Sequence, residues 1–171
     1  MATLTKLIAA IALAAATIPE GAWLLTYAGK PINAAIGDRR MLPVIRDRVP
    51  ATVVGRVFTT LSGSSERVSV ADDRFVTMTG CGTRDCRSAY LWIDAKGTAA
   101  IGVAFDQTTE RTVLTIGSKG ITASELHGPA LTSILAWLAQ TGIEPDEVNY
   151  VGPSNMPRSI DPEPFRPHAR P

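Results

Sequence analysis

Histidine and cysteine are scarce in this chain of 171 residues, which has two of each. That shortage excludes a good deal of chemistry. His127, in the stretch LHGP, and His168, near the C-terminal end, belong to no metal-ligand spacing, and Cys81 and Cys86, four residues apart with no histidine nearby, make a poor zinc site. The C-x₄-C spacing also departs from the C-x-x-C of thiol redox centres. No GxSxG, Walker or GxGxxG motif occurs. Gly80 and Gly82 lie among threonines, but the pattern after them is not helical, so they do not form a phosphate loop. Carboxylates are plentiful, yet no pair stands out, and Asp72–Asp73 reads as a turn between strands. His127 reads as a turn or cap residue. The chain is therefore not expected to be an enzyme or to carry a metal or cofactor. Charge of one sign is missing too: the formal net charge is +1, which supplies no electrostatic reason to expect nucleic acid or an acidic membrane surface as partner.

Only one long apolar run is present. Leu7–Ile18 carries no charge, follows Lys6, and has small residues at Ala14 and Ala16, with Ala22 as a second exit. It is too short to span a bilayer and reads as a secretory signal peptide. The alternatives are a buried N-terminal helix, or an uncleaved anchor if Trp23–Ala28 extends the run past Pro19. No cysteine follows the run closely, so a bacterial lipoprotein anchor is not available. Cleavage after residue 16 removes Lys6 and brings the formal charge from +1 to 0. Processing leaves no stable membrane span, and export places the two cysteines where neighbouring thiols are oxidised to each other.

What remains is enough for one domain with a real core, since 45% of the residues are hydrophobic. Val53, Val54, Val57, Phe58 and Leu61 recur at helical spacing, with Pro50 suited to the first turn and Gly63 to the stop. After Gly63 the pattern changes to short β-rich runs at 67–71, 74–80, 87–95, 98–106 and 110–117, joined by connectors such as Asp72–Asp73, Lys96–Gly97 and Gln107–Thr109. Connections this short imply antiparallel neighbours. Helix returns around 129–141: Pro129 opens it, Leu131, Ile134, Leu135 and Leu138 form its apolar face, and Gly142 closes it. Thr122 and Glu125 suit a capping box, and 148–151 suits a short edge strand. The expected class is α+β, an antiparallel meander flanked by short amphipathic helices. Residues 1–22 form the signal or N-terminal apolar segment, 23–152 the domain, and 153–171 a proline-rich, loosely attached or disordered tail.

Both cysteines fall in TGCGTRDCRS, residues 79–88. Facing each other across a strand pair, Cys81 and Cys86 would reach disulfide distance. Closing so small a ring contributes only about 2 kcal/mol. Its better use is to fix the loop and lower the entropy lost on binding. Gly82 permits unusual backbone angles, Thr83 is polar, Arg84 offers a planar fork of donors suited to carboxylates, and Asp85 can brace the loop or accept from a partner. Arg74 and Arg87 flank the strands and would add positive potential. On residue chemistry alone, a braced surface turn and a binding loop are equally good readings.

The stretch RFVTMTGCGTRDCRSAYLWIDAKGTAAIGVAF resembles the Ivy family, the inhibitors of vertebrate lysozyme of the Gram-negative periplasm, whose loop reads CKPHDC between two strands. TASELHGPALTSILAWLAQTG resembles that family's turn and helix. The similarity spans about residues 42–151, with the loop as its specific part. It implies an antiparallel sheet flanked by helices, a capacity to form homodimers, and a loop that enters the cleft of a c-type lysozyme, where the family's histidine contacts two catalytic carboxylates. Cys81, Asp85 and Cys86 match that pattern, whereas Arg84 stands in place of the histidine, Gly82 of the lysine and Thr83 of the proline. The resemblance thus implies a periplasmic inhibitor of a c-type or other lysozyme-like muramidase, acting through residues 81–86. The alternative is a structural or interaction protein of the envelope with the same fold and no inhibitory activity.

Overall fold

The computed structural model describes residues 20–81, 88–107 and 111–166, and for Cys81 the backbone alone. Seven strands form one sheet in the order of the chain: β1 (Ser69–Ala71), β2 (Phe75–Cys81), β3 (Ser88–Asp94), β4 (Ala100–Gln107), β5 (Thr112–Gly117), β6 (Glu147–Val151) and β7 (Pro157–Ile160). All neighbours are antiparallel except β5 and β6, which are parallel and joined through α4 (Gly128–Thr141). On one face lie a 3₁₀ turn at Ala22–Tyr27, α1 (Ile32–Ile36), α2 (Met41–Arg48) and α3 (Ala51–Ser62), and on the other lies α4. The fold is α+β.

Side-chain alternation divides the core between these layers. Ala89, Leu91 and Ile93 of β3 pack with Val53, Val57 and Leu61 of α3, while Tyr90 and Trp92 pack with Ile134 and Trp137 of α4. Every residue of β3 is therefore buried. That explains why SAYLWID has no alternation of polar and apolar residues, which a half-exposed strand would show. The helical spacing of α3 seats Val53, Val54, Val57 and Leu61 inward, each contributing about 1.5–3 kcal/mol by burial.

Helix α3 approaches the sheet across glycines. Gly102 of β4 and Gly117 of β5 are register partners, and Val53 sits over both. A Cβ on Gly117 would stand 2.7 Å from Val53 Cγ2, and one on Gly102 3.0 Å from Val49 Cγ1. The β1–β2 turn is equally specific. Asp72 and Asp73 both adopt left-handed angles (φ 54° and 48°), and Arg74 N–H donates to the Ala71 carbonyl (3.0 Å), the arrangement that suits a tight hairpin. Thr122 and Glu125 form the expected capping box, Pro129 lies in the first turn of α4, and Gly142 ends it at φ 68°.

At the turn end of the sheet, Asp94 joins three elements. Its carboxylate accepts both arms of Arg74 (2.9 and 2.8 Å) and the N–H groups of Lys96 (3.1 Å) and Gly97 (3.0 Å), and its carbonyl accepts from buried Arg48 (3.2 Å).

Two expectations are corrected. Strand β6 is not an edge, because β7 pairs with it from Val148↔Ile160 to Val151↔Pro157. The segment 153–171 is, in its described part, not a loose tail: β7 extends the sheet, and Phe165 packs in the α4-side core at 4% exposure. The domain therefore runs past residue 152. Trp23–Tyr27 packs on the core with Leu24 fully buried. Among the described residues no helix is long and apolar enough to cross a membrane.

Candidate functional site

The topology brings three connections to one end of the sheet. The β2–β3 hairpin closes there with Cys81 opposite Ser88, so the six residues 82–87 link the strands. The β4–β5 pair ends there at Gln107↔Thr112. Because β6 runs parallel to β5, the α4–β6 connection enters at the same end.

The stem that carries 82–87 is held from both sides. At Gly80 the α3 end presses close: a Cβ there would meet Ser64 Cβ at 3.1 Å and Leu61 Cδ2 at 3.2 Å. Ser64 Oγ donates to the Thr79 carbonyl (2.9 Å) and accepts from Glu66 N–H (3.2 Å), and the Thr79 hydroxyl donates to the Glu66 carboxylate. These bonds occupy the outer edge of β2 beyond the last residue paired with β1, Thr77. On the opposite face, the Tyr90 hydroxyl bonds Ser133 Oγ of α4 and the ring lies 5.3 Å from Trp137. Burial pushes the Tyr90 phenol up to about 12, so it stays neutral. Next to the stem, Asp146 accepts the backbone N–H and hydroxyl of Thr112 (both 2.7 Å), and these bonds hold its carboxyl below the usual range.

Beside the stem runs a groove of about 600 Å³. Its β2 side is formed by Glu66 and Thr79, its floor by Phe105, Trp137 and Ile143, and its far side by Gln107, Gln140 and Glu144. No local spacing signals this groove, because its residues are brought together from positions 66 to 144 by the crossover through α4. Among the described residues, no group of three or more histidines, cysteines, aspartates and glutamates is placed to hold a metal ion.

The predicted loop residues Gly82, Thr83, Arg84, Asp85 and Cys86, with Arg87, lie outside the described residues, as does the Cys81 side chain. The strand register nevertheless corrects one expectation. Cys81 faces Ser88 and not Cys86, so any bond between the cysteines closes within the connection and not as a cross-strand rung. Arg74 is also displaced from its expected role. It sits at the far end of β2, about 20 Å of strand away, and is paired with Asp94. His127 is exposed at the N-cap position of α4 and makes no capping bond.

No protein-family model, curated protein or solved structure matches the chain.

Proposed function

We propose that the chain is an exported, periplasmic inhibitor of a lysozyme-like muramidase and that the loop 81–86 blocks the enzyme's active-site cleft. The observation that supports this reading most is the stem. The loop leaves from strands in continuous register from Phe75↔Asp94 to Cys81↔Ser88, with α3 against one face and α4 against the other. A loop carried on so fixed a base loses less freedom when a cleft closes around it. A Cys81–Cys86 disulfide adds to that restraint.

Arg84 is the residue assigned to the enzyme's carboxylates. A retaining glycosidase holds two of them about 5–5.5 Å apart. A guanidinium can donate to both, and charge-assisted bonds are the stronger class. It is longer than the imidazole of the Ivy-family loop, so the loop sits at a different height in the cleft. The enzyme's general acid is kept protonated by its apolar site, and the Arg84 contact favours its ionised form.

The test is a titration of the exported protein against a panel of purified muramidases, with mass spectrometry of non-reduced peptides in parallel. Inhibition of at least one enzyme, with the Cys81–Cys86 peptide two hydrogens lighter than the dithiol, is expected. Absence of inhibition across the panel would favour the structural envelope protein instead.

A further inference from the structure

A second groove, of about 660 Å³, lies among α1, α2 and α3, on the face of the sheet away from α4. Its volume is in the range of small-molecule sites. Ile36 of α1, Leu42 and Pro43 of α2 and Phe58 of α3 give it an apolar lining. Ile36 is buried, and Leu42 and Phe58 are partly buried against the core. Arg39, in the link between α1 and α2, and Arg46, in the last turn of α2, also line it, and both are exposed. Neither guanidinium makes a hydrogen bond or ion pair among the described residues. Asp38 lines the groove too, but its carboxylate already accepts from Arg40 (3.0 and 2.7 Å) and from the Tyr27 hydroxyl (2.8 Å). The groove therefore presents two uncommitted cations beside apolar side chains. The Arg46 carbonyl accepts from Lys119 Nζ (2.6 Å), just past the C-terminal end of β5. The connections at 82–87 and 108–110 join their strands at the other end of the sheet. Residues 1–19, which precede the described chain, contain no aspartate or glutamate and so supply no counter-charge.

These features select an occupant with an apolar body and an anionic head. A guanidinium pairs a carboxylate through two parallel N–H groups. A peptide is a poorer fit, because Ile36, Leu42, Pro43 and Phe58 cannot pair the N–H and C=O groups it would bury. A membrane surface is poorer still. Met156 of the β6–β7 connection is the one exposed large hydrophobic residue among those described, so the helical face has no protruding side chain to insert into a bilayer. We propose that this groove binds a free fatty acid, its alkyl chain on Leu42 and Phe58 and its carboxylate between Arg39 and Arg46. The assignment goes beyond muramidase inhibition and does not involve the loop 81–86.

Calorimetric titration of the delipidated exported chain with dodecanoate, octanoate and dodecyltrimethylammonium tests it. Saturable binding of dodecanoate below about 1 mM is expected. Octanoate, four methylenes shorter, should bind at least about tenfold more weakly, and the ammonium of equal chain length should not saturate. The double variant Arg39→Gln/Arg46→Gln should bind dodecanoate roughly tenfold more weakly or worse. Both positions are exposed, so its thermal unfolding should match the parent. No dodecanoate binding, equal binding of the ammonium, equal binding of octanoate, or unchanged affinity in the double variant would each overturn the assignment. Sedimentation with phosphatidylglycerol vesicles in place of dodecanoate binding would make a membrane the occupant and overturn it as well. So would dodecanoate binding that appears only once residues 1–19 are removed, which would make that segment the occupant. Muramidase inhibition in the same double variant keeps the two claims apart. Fatty-acid binding by the parent without inhibition leaves this site standing and removes the loop mechanism, whereas inhibition without fatty-acid binding does the reverse.

Discussion

Gly102 and Gly117 contribute no side chain to the core, yet they set how closely α3 can approach the sheet. A methyl on Gly117 would overlap Val53 Cγ2 at 2.7 Å and press on Pro50 Cδ at 3.2 Å. Gly117→Ala is expected to cost about 1–3 kcal/mol through overpacking, read as a lower urea midpoint at unchanged slope. Val53→Ala in the same chain should recover part of that loss, because it removes the clashing methyl groups. Asp94 has a pKa below the ordinary carboxylate value, chiefly because Arg74 hydrogen-bonds to it. A depressed folded-state pKa means stability that is fully present above the unfolded value of about 3.9 and is lost as pH falls through the lower folded value. Asp94→Asn keeps an acceptor for Lys96 and Gly97 and removes the charge. Arg74 is half exposed and solvent screens the pair, so the variant should lose about 1 kcal/mol at pH 7. Stability measured from pH 7 to pH 2 should show parent and variant converging in acid. A constant gap over that range would contradict the ion-pair account.

At the scale of elements, the sequence is most legible where an element's pattern is its own. The valine spacing of α3 marks its buried face, and the capping box and Gly142 mark the boundaries around α4. The short β-rich runs between 67 and 117 form the antiparallel strands β1–β5, with each end within two residues of its expected place. Choices made between elements were hidden. The parallel pairing of β6 follows from the crossover through α4, not from the residues VNYV. The proline content of 153–171 suggested a loose end, but Pro157 opens an edge strand, where a missing N–H costs little, and Phe165 supplies the anchor. The short α1 and α2 carry too few turns for a period to show. Phe165→Ala tests whether this closing segment belongs to the fold. Buried phenylalanine truncations cost about 3–5 kcal/mol, and a loss near the lower figure is expected in equilibrium unfolding. An unchanged unfolding curve would return the segment to the status of a tail.

For the whole molecule, what positions the site is the convergence of the β2–β3, β4–β5 and α4–β6 connections at one end of a sheet covered on both faces. The β2–β3 connection was legible, because RFVTMTG and RSAYLWID read as two β-rich runs around a short polar stretch, and the two strands pair as antiparallel neighbours. The groove was not legible, because Glu66, Gln107 and Gln140 become neighbours only once the sheet is assembled. The central claim is that Arg84 is the residue that occupies the muramidase cleft. The measurement is residual muramidase activity against inhibitor concentration for the parent, Arg84→Ala, Arg84→Lys and Arg84→His, each checked for unchanged thermal unfolding. Removing one partner of a buried charge pair costs about 2–5 kcal/mol, so Arg84→Ala should inhibit about 30-fold less well or worse. Arg84→Lys should recover only part, since an ammonium cannot fork across two carboxylates. Arg84→His restores the Ivy-family residue and should hold against c-type lysozyme if the loop height suits an imidazole. Equal inhibition by parent and Arg84→Ala would contradict the account and take the loop out of the mechanism.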